Sequence, residues 1–312
     1  MKKKTQYRVR NGAADNAALG NRGNLTVWVD EEALQAWPYT GPRQRGAPSV
    51  YAEAVIPCVL TLRAGYPLAL RAAQGLAESV FTLLQVSLPV PPYRTLSRRG
   101  ARSELELARV SLAEPGQLVL DSSGCKVDGE GEGKVRQHGW SKRRRWRKWH
   151  LAVAEATGEI VAAVAREAGV SDAEVLPDLG GLRDRPIQQV SADGADDKRK
   201  GYAAVAARGA TVTIPPRRAA TIWQQGNSAG EPWQREEKLR AIRRWGRPRW
   251  KHESGSHRRS LAETAFLRLK PSFGATLRSR NFAQQASELF LRARALNRMT
   301  HLGMPQSYQL AA

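Results

Sequence analysis

The spacing of apolar and polar positions changes character along this chain. Residues 1–50 show no sustained period and are rich in Gly, Asn and Arg. One short helix is expected there, over Asp30-Glu31-Glu32-Ala33-Leu34: Asp30 can cap it, its acidic first turn suits the helix dipole, and Pro38 ends it. Residues 51–115 read as a helical unit. Tyr51 to Leu62 is one apolar helix, and Pro67 can open a second that runs to about Val86. Leu88-Pro89-Val90-Pro91-Pro92 is a stiff break, and Tyr93-Arg94-Thr95-Leu96-Ser97-Arg98-Arg99 starts a third helix. This succession suits helix-turn-helix DNA binding, and equally a helical bundle with one solvated basic face.

From residue 116 the pattern becomes that of strands. Gln117 to Asp121 is a short apolar run ending in an acid, and Leu151 to Ala154 and Ile160 to Val164 flank the turn signal Thr157-Gly158, which predicts a β-hairpin. Asp172 to Leu182 reads as helix, Ile187 to Asp193 as a strand ending in a second acid, Lys198 to Ala207 as helix, and Ala210 to Ile214 as a strand closed by Pro215-Pro216. A strand meander followed by alternating strands and helices predicts an α/β domain with a mixed sheet. The expected division is residues 1–115, mainly α-helical, and residues 116–312, with a polar, basic, Trp-rich insertion around 217–257. There is no internal repeat.

Composition sharpens this picture. The chain has 312 residues, with 50 Lys and Arg against 29 Asp and Glu, for a formal net charge of +21. A compact chain this basic repels itself unless a polyanion neutralises it, and nucleic acid is the usual one; a general solubility bias is the alternative. Cys58 and Cys125, far apart in sequence, suggest neither a disulfide framework nor a four-ligand zinc site. The basic start MKKKTQYRVRNG has no apolar segment after it, and the apolar stretch from Ala54 to Leu62 is interrupted by Arg63 and too short to span a bilayer. A reducing cytoplasm, with no membrane partner, is the expected setting.

The charge is concentrated. Residues 134–150, KVRQHGWSKRRRWRKWH, contain Lys142, Arg143, Arg144, Arg145, Arg147 and Lys148, with Trp140, Trp146 and Trp149 interleaved and no acid. Cations neutralise phosphates and Trp faces stack on bases, so this stretch is a candidate DNA contact; a solvated loop is the plainer reading. Gly129, Gly131 and Gly133 before it lack the Gly-Lys-Ser/Thr of a phosphate loop. Arg240 to Lys251, with Trp245 and Trp250, is a second basic aromatic cluster and a candidate for another DNA-facing surface.

Three acids carry candidate chemistry. Asp121 and Asp193 each end an apolar strand, where α/β sheets form their sites; either alone could be a turn or cap residue. Glu263 lies in a helical run from Arg259 to Lys270. At 100° per residue Arg259, Glu263 and Lys270 share one stripe, beside an apolar stripe of Ala262, Phe266, Leu269 and Phe273. A surface Glu supported by Arg259 would look the same. Together, three carboxylates on rigid elements could hold two Mg²⁺ ions for in-line phosphoryl displacement, with Arg259 and Lys270 meeting phosphates.

These residues resemble the DDE transposases of bacterial insertion sequences, in the insertion-sequence-five family, over nearly the whole chain. The resemblance rests on Asn24-Leu25-Thr26-Val27-Trp28, Leu96-Ser97-Arg98-Arg99, Asp121-Ser122-Ser123-Gly124, His138-Gly139-Trp140-Ser141-Lys142-Arg143-Arg144, Trp146-Arg147-Lys148, Ser191-Ala192-Asp193-Gly194-Ala195, His257-Arg258-Arg259-Ser260-Leu261-Ala262-Glu263-Thr264 and Leu296-Asn297-Arg298-Met299. It implies a ribonuclease-H-like catalytic domain in which Asp121, Asp193 and Glu263 hold two Mg²⁺ ions, with Mn²⁺ as substitute. It implies an N-terminal region, with Arg94, Arg98 and Arg99, that binds terminal inverted repeats. The partner is double-stranded DNA, both element ends and target, and synapsis of two ends implies a homo-oligomer near the bacterial nucleoid. Water would cut at the element end and the freed 3′-hydroxyl would attack target DNA. Ser256 and Asp196 stand where the family pattern has Tyr, so a catalytically decayed transposase acting only as a DNA-binding protein is the alternative. A nuclease of the same fold without strand transfer is a further rival.

Overall fold

The computed structural model describes residues 6–29, 34–42, 50–101, 107, 116–127, 146–167, 175, 186–223 and 233–310. In chain order the elements are β1 (Tyr7–Val9), α1 (Gly12–Asn21), α2 (Leu25–Trp28), α3 (Val55–Gly65), α4 (Leu70–Leu83), α5 (Tyr93–Gly100), β2 (Gly116–Val127), β3 (Trp146–Ala154), β4 (Ile160–Glu167), β5 (Ile187–Ser191), α6 (Arg199–Ala206), β6 (Thr211–Thr213), α7 (Gln234–Trp245), α8 (Arg247–Glu253), α9 (Ser260–Phe273), β7 (Thr276–Leu277), α10 (Phe282–Leu302) and β8 (Ser307–Gln309). Short 3-10 turns cover Gly194–Asp196 and Ser256–Arg259. The chain divides into two compact units, residues 1–104 with 294–312, and residues 105–293.

The first unit contains the three helices expected between residues 51 and 100: the first lies a few residues later than expected, the second is shorter at both ends, and the third starts at Tyr93 as expected. Val55, Ile56, Val59, Leu60 and Leu62 of α3, Ala73, Ala77, Val80 and Phe81 of α4, and Leu96 of α5 are buried. Trp37 packs edge-on to Phe81 at 4.8 Å and donates its ring N–H to the Pro89 carbonyl at 2.8 Å, so a large apolar side chain is buried with its polar atom satisfied. Helices α1 and α2 and strands β1 and β8 were not expected. Residues 12–21 form α1, whose sole buried residue is Ala18, and β1 pairs antiparallel with β8 at the other end of the chain, Arg8 opposite Tyr308. Asn11 supports that pairing, donating to the Met304 carbonyl at 2.9 Å and accepting from the Gln306 N–H at 2.7 Å. The expected helix at Asp30-Glu31-Glu32-Ala33-Leu34 falls, apart from Leu34, outside the described residues.

The second unit is built on a mixed sheet in the order β4-β3-β2-β5-β6, with β7 also pairing with β2. The meander β2-β3-β4 is antiparallel and β5 and β6 run parallel to β2, as the ribonuclease-H-like expectation requires. The predicted hairpin is present, its turn carrying Gly158 at φ +71°, a conformation a side chain would strain. Alternation along the strands supplies two apolar faces. Leu118, Leu120, Ala152, Ala154, Val190 and Val212 pack with Tyr202 and Val205 of α6. On the opposite face Trp149 meets Phe266 of α9 edge-on at 5.8 Å, and Ala262, Ala265, Leu269 and Phe273 complete the buried stripe of that helix. The Gln234 side chain protects the edge strand β6, accepting from the Val212 N–H at 2.7 Å and donating to the Ala210 carbonyl at 3.2 Å as a neighbouring strand would. Residues 233–253 of the expected insertion form α7 and α8. Apart from Val175, the helix expected over Asp172 to Leu182 falls outside the described residues.

Candidate active site

The strand pairing places the first two acids and corrects one expectation: Asp121 does not end its strand, because β2 continues to Val127 with Asp121 paired to Leu151 of β3, whereas Asp193 does follow the end of β5. Strand β5 runs beside β2 from Gly116 to Val119 and its pairing stops at Val119 opposite Ser191; β7 takes up the same edge again at Lys126 and Val127. Among the described residues, that edge of β2 therefore has no strand partner between these two stretches. Asp121 lies there, two residues past the last β5 pair, and Asp193 lies two residues past the same pair, just beyond the end of β5. Adjacent strands are about 4.8 Å apart, so both acids stand at the mouth of one gap in the sheet.

Each carboxylate is oriented locally. Asp121 is half-buried and its Oδ1 accepts from the Ser122 N–H at 2.8 Å. Asp193 caps the 3-10 turn that follows β5, with Oδ1 accepting from the Gly194 N–H at 2.6 Å. Gly194 suits its position: a Cβ there would lie 3.1 Å from the Pro215 carbonyl oxygen, a tight contact that the end of β6 would have to relieve by a few tenths of an ångström.

The third acid arrives on α9, which covers the face of the sheet that carries Asp121. Glu263 sits in its first turn, on the exposed shoulder the periodicity predicted. Arg259, at the end of the preceding 3-10 turn, links two of the acids: its Nη1 donates to Asp193 Oδ1 at 2.5 Å, and its Nη2 lies 3.8 Å from Glu263 Oε1. These side chains are 34% to 54% exposed, so the Arg259–Asp193 pair contributes only about 0.2–1 kcal/mol and is readily exchanged for another partner. Among the described residues no group of three or more His, Cys, Asp and Glu side chains is gathered closely enough to hold a metal ion. By donor chemistry the carboxylates suit a hard divalent cation, which needs only one or two of them beside water and substrate phosphate.

The cations predicted from sequence are dispersed. Lys142, Arg143, Arg144 and Arg145 lie outside the described residues. Trp146 is 41% exposed, with the Lys126 ammonium 5.7 Å from the centre of its ring. Arg147 is buried: its Nε donates to Gln285 at 2.7 Å and its guanidinium lies 5.1 Å from the Phe282 ring, so it ties β3 to α10. Lys148 is half-buried, opposite Gly124. Lys270 is exposed, and together with Arg292 it offsets part of the effect of burial, which pushes the Cys125 thiol up. In the first unit Arg99 bonds Glu53 at 2.6 Å and the Tyr51 carbonyl at 3.3 Å, whereas Arg94 and Arg98 are exposed. Arg71 joins Arg94 on the Tyr93 hydroxyl, each at 3.3 Å, and these bonds lower the Tyr93 pKa, Arg71 contributing most. Ser256 and Asp196 are both buried.

Arg259 and the Arg240–Lys251 cluster were candidates from sequence; what was missed is that Arg217 and Arg218 join Arg247, Lys251 and Arg259 in one basic wall next to Asp193. Arg217, Arg218, Arg247, Lys251 and Arg259 line a cavity of about 310 Å³ with Asp193, Gly194 and Pro215. A buried ion pair holds part of it in place: Arg235 bonds Asp197 at 2.5 Å and lies 3.9 Å from the centre of the Trp223 ring, and the second Asp197 oxygen accepts from the Arg217 N–H at 3.1 Å. Removing one partner of a pair this buried costs about 3–5 kcal/mol. The sequence did offer a signal, Arg217-Arg218 directly after Pro215-Pro216 at a strand end.

A family model described as a transposase DDE domain matches residues 113–298, and a second model of the same description matches residues 20–130.

Proposed function

The chain belongs to the family of transposase DDE domains, and from that premise we propose that it is a DNA transposase of the insertion-sequence-five type with Asp121, Asp193 and Glu263 as its catalytic acids. The observation that carries the site assignment is the gap on the β2 edge, with Asp121 and Asp193 flanking it and Arg259 linking Asp193 to Glu263. The mixed sheet is consistent with a ribonuclease-H-like DDE domain.

In this reading Asp121 and Asp193, with Glu263, would hold Mg²⁺ or Mn²⁺, which when bound supplies Lewis-acid activation and neutralises charge on the leaving oxygen. Arg259 is the residue that changes partner. Its weak, half-exposed pairing with Asp193 gives way when a phosphodiester enters, and its guanidinium fork then meets the phosphate oxygens. Water attacks phosphorus at the element end and the P–O3′ bond breaks, leaving a 3′-hydroxyl and a 5′-phosphate; that 3′-hydroxyl then attacks a target phosphodiester in the same site, whose own P–O3′ bond breaks to release a target 3′-hydroxyl. Both steps depend on positioning and charge stabilisation by groups on rigid elements. The exposed Arg94 and Arg98 of α5, joined by Arg71, are candidates for contact with the terminal repeats. Trp146 and the basic residues before it are candidates for contact with DNA at the catalytic unit.

The test is cleavage of a labelled duplex that carries the element's terminal repeat, with and without Mg²⁺, beside Glu263→Gln. Metal-dependent nicking at the repeat boundary that falls at least 100-fold in the variant supports the assignment. Equal cleavage by both proteins overturns it. The second reading, a decayed transposase that only binds DNA, is favoured by Ser256 and Asp196; repeat-specific binding without cleavage in either protein would select it.

A further inference from the structure

We infer that the cavity walled by Arg217, Arg218, Arg247 and Lys251 is a seat for a phosphate of the DNA backbone, next to the phosphate that faces Asp193 and held without regard to base sequence. The inference rests on the proposal that the chain acts on DNA. Five cations surround the cavity, and Asp193 is its sole carboxylate among the described residues. Two of the cations are pre-positioned. Arg217 donates one Nη2 bond to the Ala195 carbonyl at 3.2 Å, and Arg247 donates one to the Pro216 carbonyl at 2.7 Å, so each guanidinium is anchored by a single bond and keeps donors to spare. Ordering on the main chain before a ligand arrives lowers the entropy lost on binding. Arg218 and Lys251 are exposed at the rim. The uncharged lining is Gly194, Ala195, Pro215 and Pro216, with no aromatic face for a base and no amide side chain to read its edge. Such a wall recognises phosphate and leaves the base unread. At about 310 Å³ the cavity is at the small end of ligand sites, suited to one sugar-phosphate unit and too small for a duplex.

Arg259 gives the seat its place in the reaction. It lines the cavity and bonds Asp193, so a strand anchored here continues directly across the acid. Lys251 and Arg218 are positioning residues in this scheme: they set the strand's register and do not touch the reacting atoms.

The experiment measures binding of the full chain, without divalent metal, to a terminal-repeat duplex and to a scrambled duplex from about 50 to 300 mM salt. Wild type is compared with Arg218→Ala/Lys251→Ala and with Lys200→Ala/Arg280→Ala, a charge-matched control of exposed residues outside the cavity and outside both basic aromatic clusters. The expected result is a decrease of about one to two in the salt slope for the cavity variant, equal on both duplexes, with little change in the control. Arg218→Lys/Lys251→Arg, which keeps the charge, should restore the slope. An unchanged slope, an equal fall in the control, or a loss confined to the terminal-repeat duplex overturns the inference. Inorganic phosphate distinguishes the other source: thermal stabilisation by phosphate that the cavity variant loses, with the DNA slope unchanged, would identify a free-anion site and also overturn it. Where cleavage is measurable, KM should rise with kcat held. The salt slope is read without cleavage or repeat specificity, so failure of the transposase proposal and failure of this one give different results.

Discussion

At the scale of single residues, similar side chains have different tasks according to what surrounds them. Arg147 and Arg99 sit in basic runs that suggest DNA, yet each is held by partners within its own unit. Arg259, with a comparable sequence context, stays half-exposed on a carboxylate it can leave. Lys238 shows the effect of burial on its own. Loss of solvent pushes its ammonium down to about 8, with Glu237 opposing the shift. Between that value and the ordinary 10.5 the unfolded chain binds more protons than the folded one. The cost to stability is therefore full below pH 8 and fades as pH rises toward 10.5. Lys238→Met is expected to raise stability at pH 7 by about 1–3 kcal/mol, a gain that shrinks steadily above pH 8. Urea unfolding of both proteins across that pH range checks it, and a constant difference would contradict the assignment.

At the scale of elements, α9 shows how periodicity places a candidate catalytic residue. The apolar stripe of Ala262, Phe266, Leu269 and Phe273 is buried against the sheet, and this directs Glu263 to the shoulder. Leu269 is 1% exposed and Leu267, two residues away, is 72% exposed. Leu269→Ala should cost about 2–5 kcal/mol in urea unfolding, through lost burial and the cavity left behind, while Leu267→Ala should stay within about 0.5 kcal/mol. Equal effects would mean the helix is rotated from the position described. Helix α4 was legible in the same way, burying Ala73, Ala77, Val80 and Phe81 along one face, whereas α3 and the hairpin β3-β4 were legible as apolar runs buried at nearly consecutive positions. Helix α1 was not: it buries one alanine, so its alternation carries no signal, and it forms beside a β-pairing that no local window contains.

At the scale of the whole chain, the first unit is closed by residues from both ends. Strand β8 supplies the partners of β1, and the Arg10 N–H donates to the Gln306 carbonyl at 2.8 Å. Removing residues 303–312 should expose the amides around Arg8 and Arg10. Hydrogen exchange there should accelerate by at least ten-fold, while amides in β3, within the other unit, keep their protection. Unchanged exchange at Arg10 would show that the pairing contributes nothing to order. The expected division near residue 115 falls among residues that are not described, and residues 294–312 group with the first unit.

The amino-acid order determined the class of each strongly periodic segment, the hairpin at Gly158, the three candidate acids and the excess of positive charge. These follow from local chemistry: the period of apolar residues reveals which face of an element avoids water, and strand ends and turns have recognisable residues. Tertiary structure alone decided what each face packs against. It ended β5 short of Asp121, set Arg259 between Asp193 and Glu263, drew Arg147 inward, and brought Arg217, Arg218, Arg247 and Lys251 around one cavity. The reason is physical: burial is a preference a single segment can express, whereas convergence of distant residues depends on how the intervening chain closes and on which surfaces fit together when it does.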